Sequence, residues 1–258
     1  MNDLKIVAEL SANHLGDYGR AMQIVEQAAA AGADMFKVQC WKAGTMCLDP
    51  DYEVPSGPWA GRKLQHLYAE AYTPWEWLPS LFARCRKLGM EPFGSAFDAE
   101  SVDYLDSLGV QRHKVASFEL TDIQLIRHMA SKGKPIILSM GMASGNEVVD
   151  AMVAADGMAQ ITLHCVSAYP ANVWGTLHPA PRYGRFQCGQ QKLEFGLSDH
   201  TQGIGVAVAA VALGATMIEK HMSQVYALSC GRLFGPLAKT SPFSRRLNRY
   251  TTGVEAFL

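Results

Sequence analysis

Polar side chains capable of metal, anion-binding and acid–base chemistry follow short apolar runs in this sequence. FGLSDHT at 195–201 ends with a hydroxyl, a carboxylate and an imidazole in succession, and MIEKHMS at 217–223 also carries a histidine. Histidines that end neighbouring strands lie close together, and two imidazoles with water and substrate oxygens can hold a divalent cation. We therefore consider His200 and His221 candidate metal ligands, against the alternative of satisfied core histidines.

Two lysines lie within apolar runs that predict buried strands. Lys37 and Gln39 are two residues apart, so on a strand both side chains face the same way. Lys114 occupies the same kind of run, and a buried ammonium group needs a partner. Inward lysines among serines indicate a site for an anion such as phosphate. The alternative is that each lysine forms a structural ion pair with one of three carboxylates: Glu9, Glu119 or Glu219.

Carboxyl groups also stand at strand ends. Glu9 and Glu119 are candidates for acid and base, because a partly desolvated site with nearby charges can tune carboxyl groups for proton transfer. The alternative for each is the role of counter-ion to a lysine. Further polar residues at predicted strand ends are Ser95, Ser117, Ser139, Ser167, Tyr169 and Ser198.

Most of the remaining candidates are assigned structural roles. His164 is interpreted as a core residue rather than a third metal ligand, and His14 is left unassigned near the end of the first strand. Surface or loop positions are predicted for His66, His113, His128 and His178. The cysteines have no CxxC spacing and are interpreted as mostly structural, reduced thiols. Packing of a loop is predicted for Trp59, Tyr68, Tyr72, Trp75 and Trp77.

The elements that must position these residues alternate along the chain. Apolar runs predict eight strands, at 4–10, 35–41, 91–97, 113–117, 135–140, 161–166, 192–198 and 215–221. Capped, periodic segments between them predict helices at 20–33, 73–89, 98–109, 121–133, 145–157 and 203–214. Eight strands that alternate with helices in about 250 residues predict a (β/α)8 barrel, which carries its chemistry at the carboxyl ends of its strands.

The main alternative is a doubly wound open sheet. Its glycine-rich fingerprint GxGxxG is not present after the first strand, where the sequence reads SANHLGDYG. The barrel is predicted to form a single domain over 1–258. A long insertion at 42–72 could cover a site, and 222–258 is a divergent stretch that ends in a predicted amphipathic helix.

Composition excludes several functions. With 23 basic and 24 acidic residues, the chain offers no electrostatic footprint for nucleic acid or an anionic membrane. No signal peptide and no transmembrane run are expected, and these features favour a cytoplasmic protein.

The motifs in combination resemble those of the sialic acid synthase family. They are, in order, AELSANHLGD, FKVQ, GSAFD, HKVASFELTD, ILSMGMAS, HCVSAYP, GLSDHT and IEKH, which together extend over 5–221. LQHLYAEAYTPWEW at 64–77 and ASFELTDIQLI at 116–126 are more similar to the pseudaminic acid synthase branch. These enzymes condense phosphoenolpyruvate with an amino-sugar aldehyde to give nine-carbon 2-keto-3-deoxy sugar acids.

The resemblance implies a role for each matched residue. Glu9 and Glu119 match catalytic carboxylates, and His200 and His221 match ligands of manganese or magnesium. Gln39 and Tyr169 match residues near the sugar, and Ser167 replaces an asparagine found in some members. The positions that hold phosphoenolpyruvate are matched by Lys37, Ser95, Lys114, Ser117, Ser139 and Ser198.

Two departures from the family pattern concern the sugar. The family usually has an acidic GPD motif after the second histidine, whereas Gly235-Pro236 is followed here by Leu237. The family also usually has a C-terminal antifreeze-like domain that reaches across a dimer, and no such domain is expected in this sequence. A homodimer or a separate chain that supplies this domain is therefore expected. Two other functions stay open: a non-catalytic or partner-dependent paralogue, and a Schiff-base aldolase that uses Lys37 or Lys114.

Overall fold

The computed structural model describes residues 4–55, 59–177, 184–188 and 191–222. Its strands are β1 (Lys5–Glu9), β2 (Met35–Cys40), β3 (Glu91–Ala96), β4 (His113–Val115), β5 (Ile136–Ser139), β6 (Ala159–Cys165), β7 (Gly184–Cys188), β8 (Gln191–Asp199) and β9 (Met217–His221). Its α-helices are α1 (Tyr18–Ala31), α2 (Leu64–Ala71), α3 (Leu78–Lys87), α4 (Ala99–Ser107), α5 (Ile123–Ala130), α6 (Gly145–Ala154), α7 (Val173–Leu177) and α8 (Gly205–Ala212). Single 3-10 turns lie at Ser11–His14, Ala43–Thr45, Trp75–Trp77 and Ser117–Glu119.

Eight parallel strands close into a barrel. The pairing runs from β1 through β2, β3, β4, β5 and β6 to β8 and β9, and β9 returns to pair with β1. The predicted (β/α)8 barrel is confirmed, and the alternative prediction of an open doubly wound sheet is wrong. One strand was not predicted: β7 runs antiparallel to β8 and lies outside the parallel ring.

The barrel strands are apolar because both of their faces are covered. In β1, Ile6, Val7 and Ala8 are all buried, although their side chains alternate between the barrel interior and the helix layer. Side-chain caps start the helices: Asp17, Asp98 and Asp122 each accept a hydrogen bond from a backbone N–H of the first helical turn. These caps explain why the predicted helices lie within a few residues of the observed ones.

The predicted insertion at 42–72 contains the 3-10 turn at 43–45, a bridge between Glu53 and Lys63, and α2. Several of its aromatic residues and neighbours pack, as predicted. Trp75 stacks on Tyr104 with ring centroids 4.6 Å apart, and its indole N–H donates to the Trp41 carbonyl. Trp59 does not fit this interpretation, because 43% of its surface is exposed.

Other predictions fall where the structure gives no description. His178, Cys230, Leu237 and the predicted final helix lie outside the described residues. In the part of the chain that is described, no helix combines the length and apolarity needed to cross a membrane. The single-domain organisation stays a prediction.

The prediction that His113 lies on the surface or in a loop is wrong. His113 begins β4 and is fully buried. Its neighbour Lys114 faces the barrel interior, so the alternation of a strand turns His113 towards the helix layer. Within the described residues neither ring nitrogen makes a hydrogen bond, and Nε2 lies 3.5 Å from Asp106 Oδ1.

Acid is expected to destabilise the fold through His113. Burial lowers the pKa of His113 to about 4, whereas a histidine in the unfolded chain titrates at about 6.5. Between these values the unfolded state binds the extra proton, so stability is lost as pH falls from about 6.5 to about 4, by up to about 3 kcal/mol. The free energy of unfolding, measured by urea denaturation across this range, should vary less with pH in His113→Leu.

The matched control is His66→Leu, at an exposed position on α2. It should leave the pH dependence unchanged. If the free energy of unfolding of His113→Leu depends on pH as steeply as that of the wild type, the buried ring does not contribute to the loss of stability in acid.

Candidate active site

Four charged side chains meet inside the barrel at the carboxyl ends of its strands, which we call the barrel mouth. Lys37 Nζ lies 2.5 Å from Glu9 Oε2 and 3.6 Å from Glu219 Oε1. Lys114 Nζ lies 3.1 Å from Glu219 Oε2. We refer to Glu9, Lys37, Lys114 and Glu219 as the buried charge cluster, since each is at most 5% exposed. Glu9 and Glu219 therefore form the ion pairs with lysines that the alternative to an anion site predicted.

Strand register produces this convergence. Glu9 pairs with Lys37 on one side of β1 and with His221 on the other, and Ser198 pairs with Glu219 across β8 and β9. Hydroxyl groups add to the cluster. Lys37 Nζ donates to Ser95 Oγ at 3.1 Å, and Ser198 Oγ donates to Glu219 Oε1 at 3.2 Å.

The two carboxyl groups of the cluster are tuned in opposite directions. Burial raises the pKa of Glu9 above its usual range and outweighs the attraction of Lys37. Burial also acts to raise the pKa of Glu219, but the ammonium groups of Lys114 and Lys37 outweigh it and hold that pKa at about 2. Glu219 is therefore the permanent anion of the cluster, whereas Glu9 can take up a proton more easily.

Sequence reasoning considered Glu219 only as a counter-ion. It is the acceptor shared by both lysines and Ser198. The signal that could have identified it is its spacing: Glu219 and His221 are two residues apart on one strand, so both face the barrel interior.

Glu119 lies in the 3-10 turn after β4 and has a different environment. Burial raises the pKa of its carboxyl group to about 7. Its Oε2 is buried and has no hydrogen-bond partner among the described residues. A carboxyl group that titrates near neutrality and has one uncommitted oxygen is suited to proton transfer.

The two candidate metal ligands end adjacent strands, and their ring centroids are 5.3 Å apart. His200 Nδ1–H donates to the Val166 carbonyl at 2.8 Å, so Nε2 keeps its lone pair. His221 Nδ1 is buried and makes no hydrogen bond with any described residue. Burial and the proximity of His200 lower the pKa of His221 well below its usual range.

These donors fit a divalent cation, because His221 Nδ1 has no hydrogen-bond partner among the described residues and His200 Nε2 makes a long contact of 3.4 Å with the Ser198 hydroxyl. Within the described residues no group of three histidine, cysteine or acidic side chains could hold a metal ion. A cation bound here would have two ligands among the described residues, and water or substrate could supply others.

A thiol lies next to this pair. Cys165, at the end of β6, has its Sγ 3.7 Å from His200 Nδ1. Burial acts to raise the pKa of Cys165, but the contact with His200 outweighs it and lowers that pKa. Sequence reasoning missed this residue because a cysteine within an apolar run has the pattern of a core residue.

Tyr169 covers the histidines from the solvent side. Its ring lies 4.1 Å from the ring centroid of His200 and 5.6 Å from that of His221, and 41% of its surface is exposed. Ser139 is buried at the end of β5, and Gln39 is half-buried at the end of β2. Both positions are at the barrel mouth.

Ser117 and Ser167 converge on Gly141. A Cβ at residue 141 would lie 2.7 Å from Ser167 Oγ, 2.9 Å from Ser117 Oγ and 3.0 Å from the Cys165 carbonyl oxygen. These distances are shorter than ordinary van der Waals contacts. The absence of a side chain at Gly141 thus allows both hydroxyl groups to lie close to the backbone of this residue.

Gly141→Ala should weaken binding of the anionic substrate without unfolding the chain. The added methyl group would displace the Ser117 hydroxyl, which the resemblance assigns to the anion, and the loss of one hydrogen bond of about 1 kcal/mol corresponds to a roughly fivefold rise in KM. Steady-state kinetics with the anion as the varied substrate measure this. Gly145→Ala is the matched control, since nothing lies within 4 Å of its Cβ position. Equal KM values for the two variants would contradict the assignment of the Ser117 hydroxyl to the anion.

Not every polar residue at the strand ends faces the mouth. Asp199 lies between Ser198 and His200 and points the other way, where its Oδ2 accepts a hydrogen bond from Lys220 Nζ at 2.8 Å. His164 also faces away, and its Nε2–H donates to the Thr176 carbonyl at 3.0 Å. His14 is buried beside the mouth and hydrogen-bonds Thr73. Of the three successive polar side chains at 198–200, Ser198 and His200 therefore face the barrel mouth, whereas Asp199 does not.

The fold is a closed (β/α)8 barrel. Its charged groups and two histidines lie at the carboxyl ends of the strands, where enzymes of this fold perform their chemistry. The chain belongs to the NeuB family, whose sequence model matches residues 24–229. This confirms the resemblance to sialic acid synthases that the motifs carry.

Individual relatives agree with this assignment. The chain is 36% identical over 260 residues to a pseudaminic acid synthase of Helicobacter pylori, covering 98% of this chain and 73% of that protein. It is 36% identical over 227 residues to a pseudaminic acid synthase of Campylobacter jejuni, covering 84% of this chain and 64% of that protein. An N-acetylneuraminic acid synthetase of Leptospira borgpetersenii superposes with a TM-score of 0.71 at 29% identity, covering 86% of this chain and 74% of that one.

Proposed function

We propose that this chain condenses phosphoenolpyruvate with an amino-sugar aldehyde, giving a nine-carbon 2-keto-3-deoxy sugar acid and phosphate. The observation that carries the proposal is the pair of buried ammonium groups, Lys37 and Lys114, beside two histidines at the mouth. Cationic and hydroxyl donors suit a substrate with a phosphate and a carboxylate. The relatives named as pseudaminic acid synthases support a sugar of the pseudaminic type.

The proposed reaction balances as follows. The methylene carbon of phosphoenolpyruvate forms a bond to the aldehyde carbon, and the aldehyde oxygen gains a proton. Water adds at C2 and loses a proton. The bond between C2 and the phosphate oxygen then breaks, the C2 hydroxyl becomes the keto group, and its proton leaves with the inorganic phosphate.

Each group at the mouth has a proposed part in this sequence. Lys37 and Lys114 hold the anionic ends of phosphoenolpyruvate, with Ser95, Ser117, Ser139 and Ser198 as hydroxyl donors, so the two substrates stay in attack geometry. Glu119 accepts the proton of the attacking water, and Glu9 acts as the second catalytic carboxyl group. Gln39, Ser167 and Tyr169 lie on the side of the sugar.

We further infer a role for a divalent cation, Mn²⁺ or Mg²⁺, held by His200 and His221. When bound, such a cation supplies Lewis-acid polarisation of a carbonyl oxygen. The unpartnered Nδ1 of His221 supports this inference, as does the bond from His200 Nδ1 to Val166, which leaves Nε2 as the acceptor nitrogen of that ring.

The experiment is phosphate release from phosphoenolpyruvate with Mn²⁺ against a panel of aldehyde sugars. The panel contains N-acetylmannosamine, the diacetamido-trideoxy-altrose precursor and simple pentoses. We expect sugar-dependent release that disappears in His200→Ala and persists in His128→Ala, a matched change on α5 away from the mouth. Binding of phosphoenolpyruvate without release, whatever the sugar, would favour the non-catalytic or partner-dependent paralogue.

A Schiff-base aldolase is the second candidate, and one observation favours it. Burial lowers the pKa of Lys114, and a neutral amine is the nucleophile that such an enzyme needs. Borohydride treatment with a keto acid separates the two candidates. The proposed synthase gives no covalent adduct, whereas an aldolase gives a stable adduct that Lys114→Met loses.

Assembly and location remain predictions. The resemblance implies a homodimer, and light scattering of the purified chain tests this. Cell fractionation tests the predicted cytoplasmic location.

A further inference from the structure

Ser11 has an unusual backbone conformation at the mouth. It lies two residues after the end of β1, is only 4% exposed and has a φ of 47°. This is the left-handed region, which residues other than glycine seldom adopt and which recurs at functional sites. The surrounding structure must therefore hold Ser11 in place.

The conformation lets Ser11 contact two residues that the proposed function uses. Its backbone N–H donates to Glu9 Oε1 at 2.7 Å, a short distance typical of a hydrogen bond to a charged group. Its hydroxyl donates to Gln39 Oε1 at 3.3 Å. One residue thus links the carboxyl group at the end of β1 with the amide at the end of β2.

Both contacts restrict rotation of the side chains that accept them. Glu9 is held at one oxygen by Ser11 and at the other by Lys37 Nζ, 2.5 Å away. The Gln39 amide is planar, so a bond to its oxygen determines where its two N–H donors point. Those donors are then available to an oxygen atom of a ligand in the mouth.

We propose that Ser11 is a positioning residue that determines specificity for the sugar. Resting on the proposed function, the inference is that the Ser11 hydroxyl orients the Gln39 amide so that its N–H groups donate to a hydroxyl or acetamido oxygen of the aldehyde substrate. The Ser11 N–H keeps Glu9 in place independently of the Ser11 side chain.

The test is a double-mutant cycle on KM. Ser11→Ala removes the hydroxyl, and Ser11→Gly removes it while also tolerating the left-handed backbone. Both should raise KM for the sugar about fivefold, the effect of one hydrogen bond, and leave KM for phosphoenolpyruvate within about twofold. In a Gln39→Ala background, Ser11→Ala should cause no further change, because Ser11 acts through Gln39. Ser131→Ala is the matched control, since its hydroxyl binds the His128 carbonyl away from the mouth.

Several outcomes would overturn the proposal. Independent, multiplying effects of Ser11→Ala and Gln39→Ala on KM for the sugar would show that the serine does not act through the amide. A lower thermal midpoint with unchanged KM values would show a structural role only. If the wild-type chain releases no phosphate, calorimetric titration of the sugar replaces KM with Kd. Absence of sugar binding would then overturn both proposals, whereas unchanged Kd in Ser11→Ala would overturn this one alone.

Discussion

Glu219→Gln should destabilise the fold by about 3–5 kcal/mol and abolish turnover. The substitution keeps the shape of the side chain but removes the anion that two buried ammonium groups share. Removing one partner of a buried ion pair leaves an uncompensated charge in a low-dielectric interior. Urea denaturation monitored by circular dichroism measures the first effect, and phosphate release measures the second.

The matched control is Glu91→Gln. Glu91 forms two hydrogen bonds with Arg112, at 2.5 and 3.0 Å, but the pair lies near the surface at the opposite end of β3. Its loss should cost less than about 1 kcal/mol, because solvent screens the charge that remains. Similar losses of stability in the two variants would mean that the buried charge cluster does not hold the barrel interior together.

Glu119→Gln should lower kcat by about 10²- to 10⁴-fold, the usual effect of removing a general base. A base must be ionised, and the pKa of Glu119 is about 7. Wild-type activity is therefore expected to fall as pH decreases through about 7. The residual activity of Glu119→Gln should lose this limb of the pH profile.

Stability distinguishes this effect from misfolding. Because burial raises the pKa of Glu119, the ionised carboxylate is less favourable in the folded chain than in the unfolded chain. Glutamine removes that cost, so at pH 8 the unfolding midpoint of the variant should be equal to or higher than that of the wild type. Glu100→Gln, an exposed carboxylate on α4, is the control for kcat. A pH profile of Glu119→Gln that still falls through pH 7 would assign this limb to another group.

Much of the barrel was predictable because its strands are covered on both faces. Such strands are continuous apolar runs, so a polar residue at their carboxyl end stands out, as Lys37 and Ser198 do. β7 escaped prediction because its antiparallel partner β8 was already assigned to the parallel ring, and its run GRFQC is not continuously apolar.

The positions that were misjudged share a physical cause. A polar residue on a barrel strand can face the interior or the helix layer, and composition does not distinguish the helix layer from solvent. His113 was therefore assigned to the surface, although it lies beneath the helices. The spacing from His221 could have placed Glu219 inside the barrel, but its role as a shared acceptor depends on residues of β2, β4 and β8, which meet β9 only in the folded barrel.

The ion pair between Asp199 and Lys220 has a consequence for the chemistry on the other side of the same two strands. Asp199 and Lys220 are register partners across β8 and β9, and each lies next to a candidate metal ligand. Because side chains alternate, a slip of one residue between these strands would both separate the charges and move one imidazole past the other. The ion pair between Asp199 and Lys220 thus stabilises the register of β8 and β9. It thereby keeps the spacing of the two histidines constant without contacting substrate.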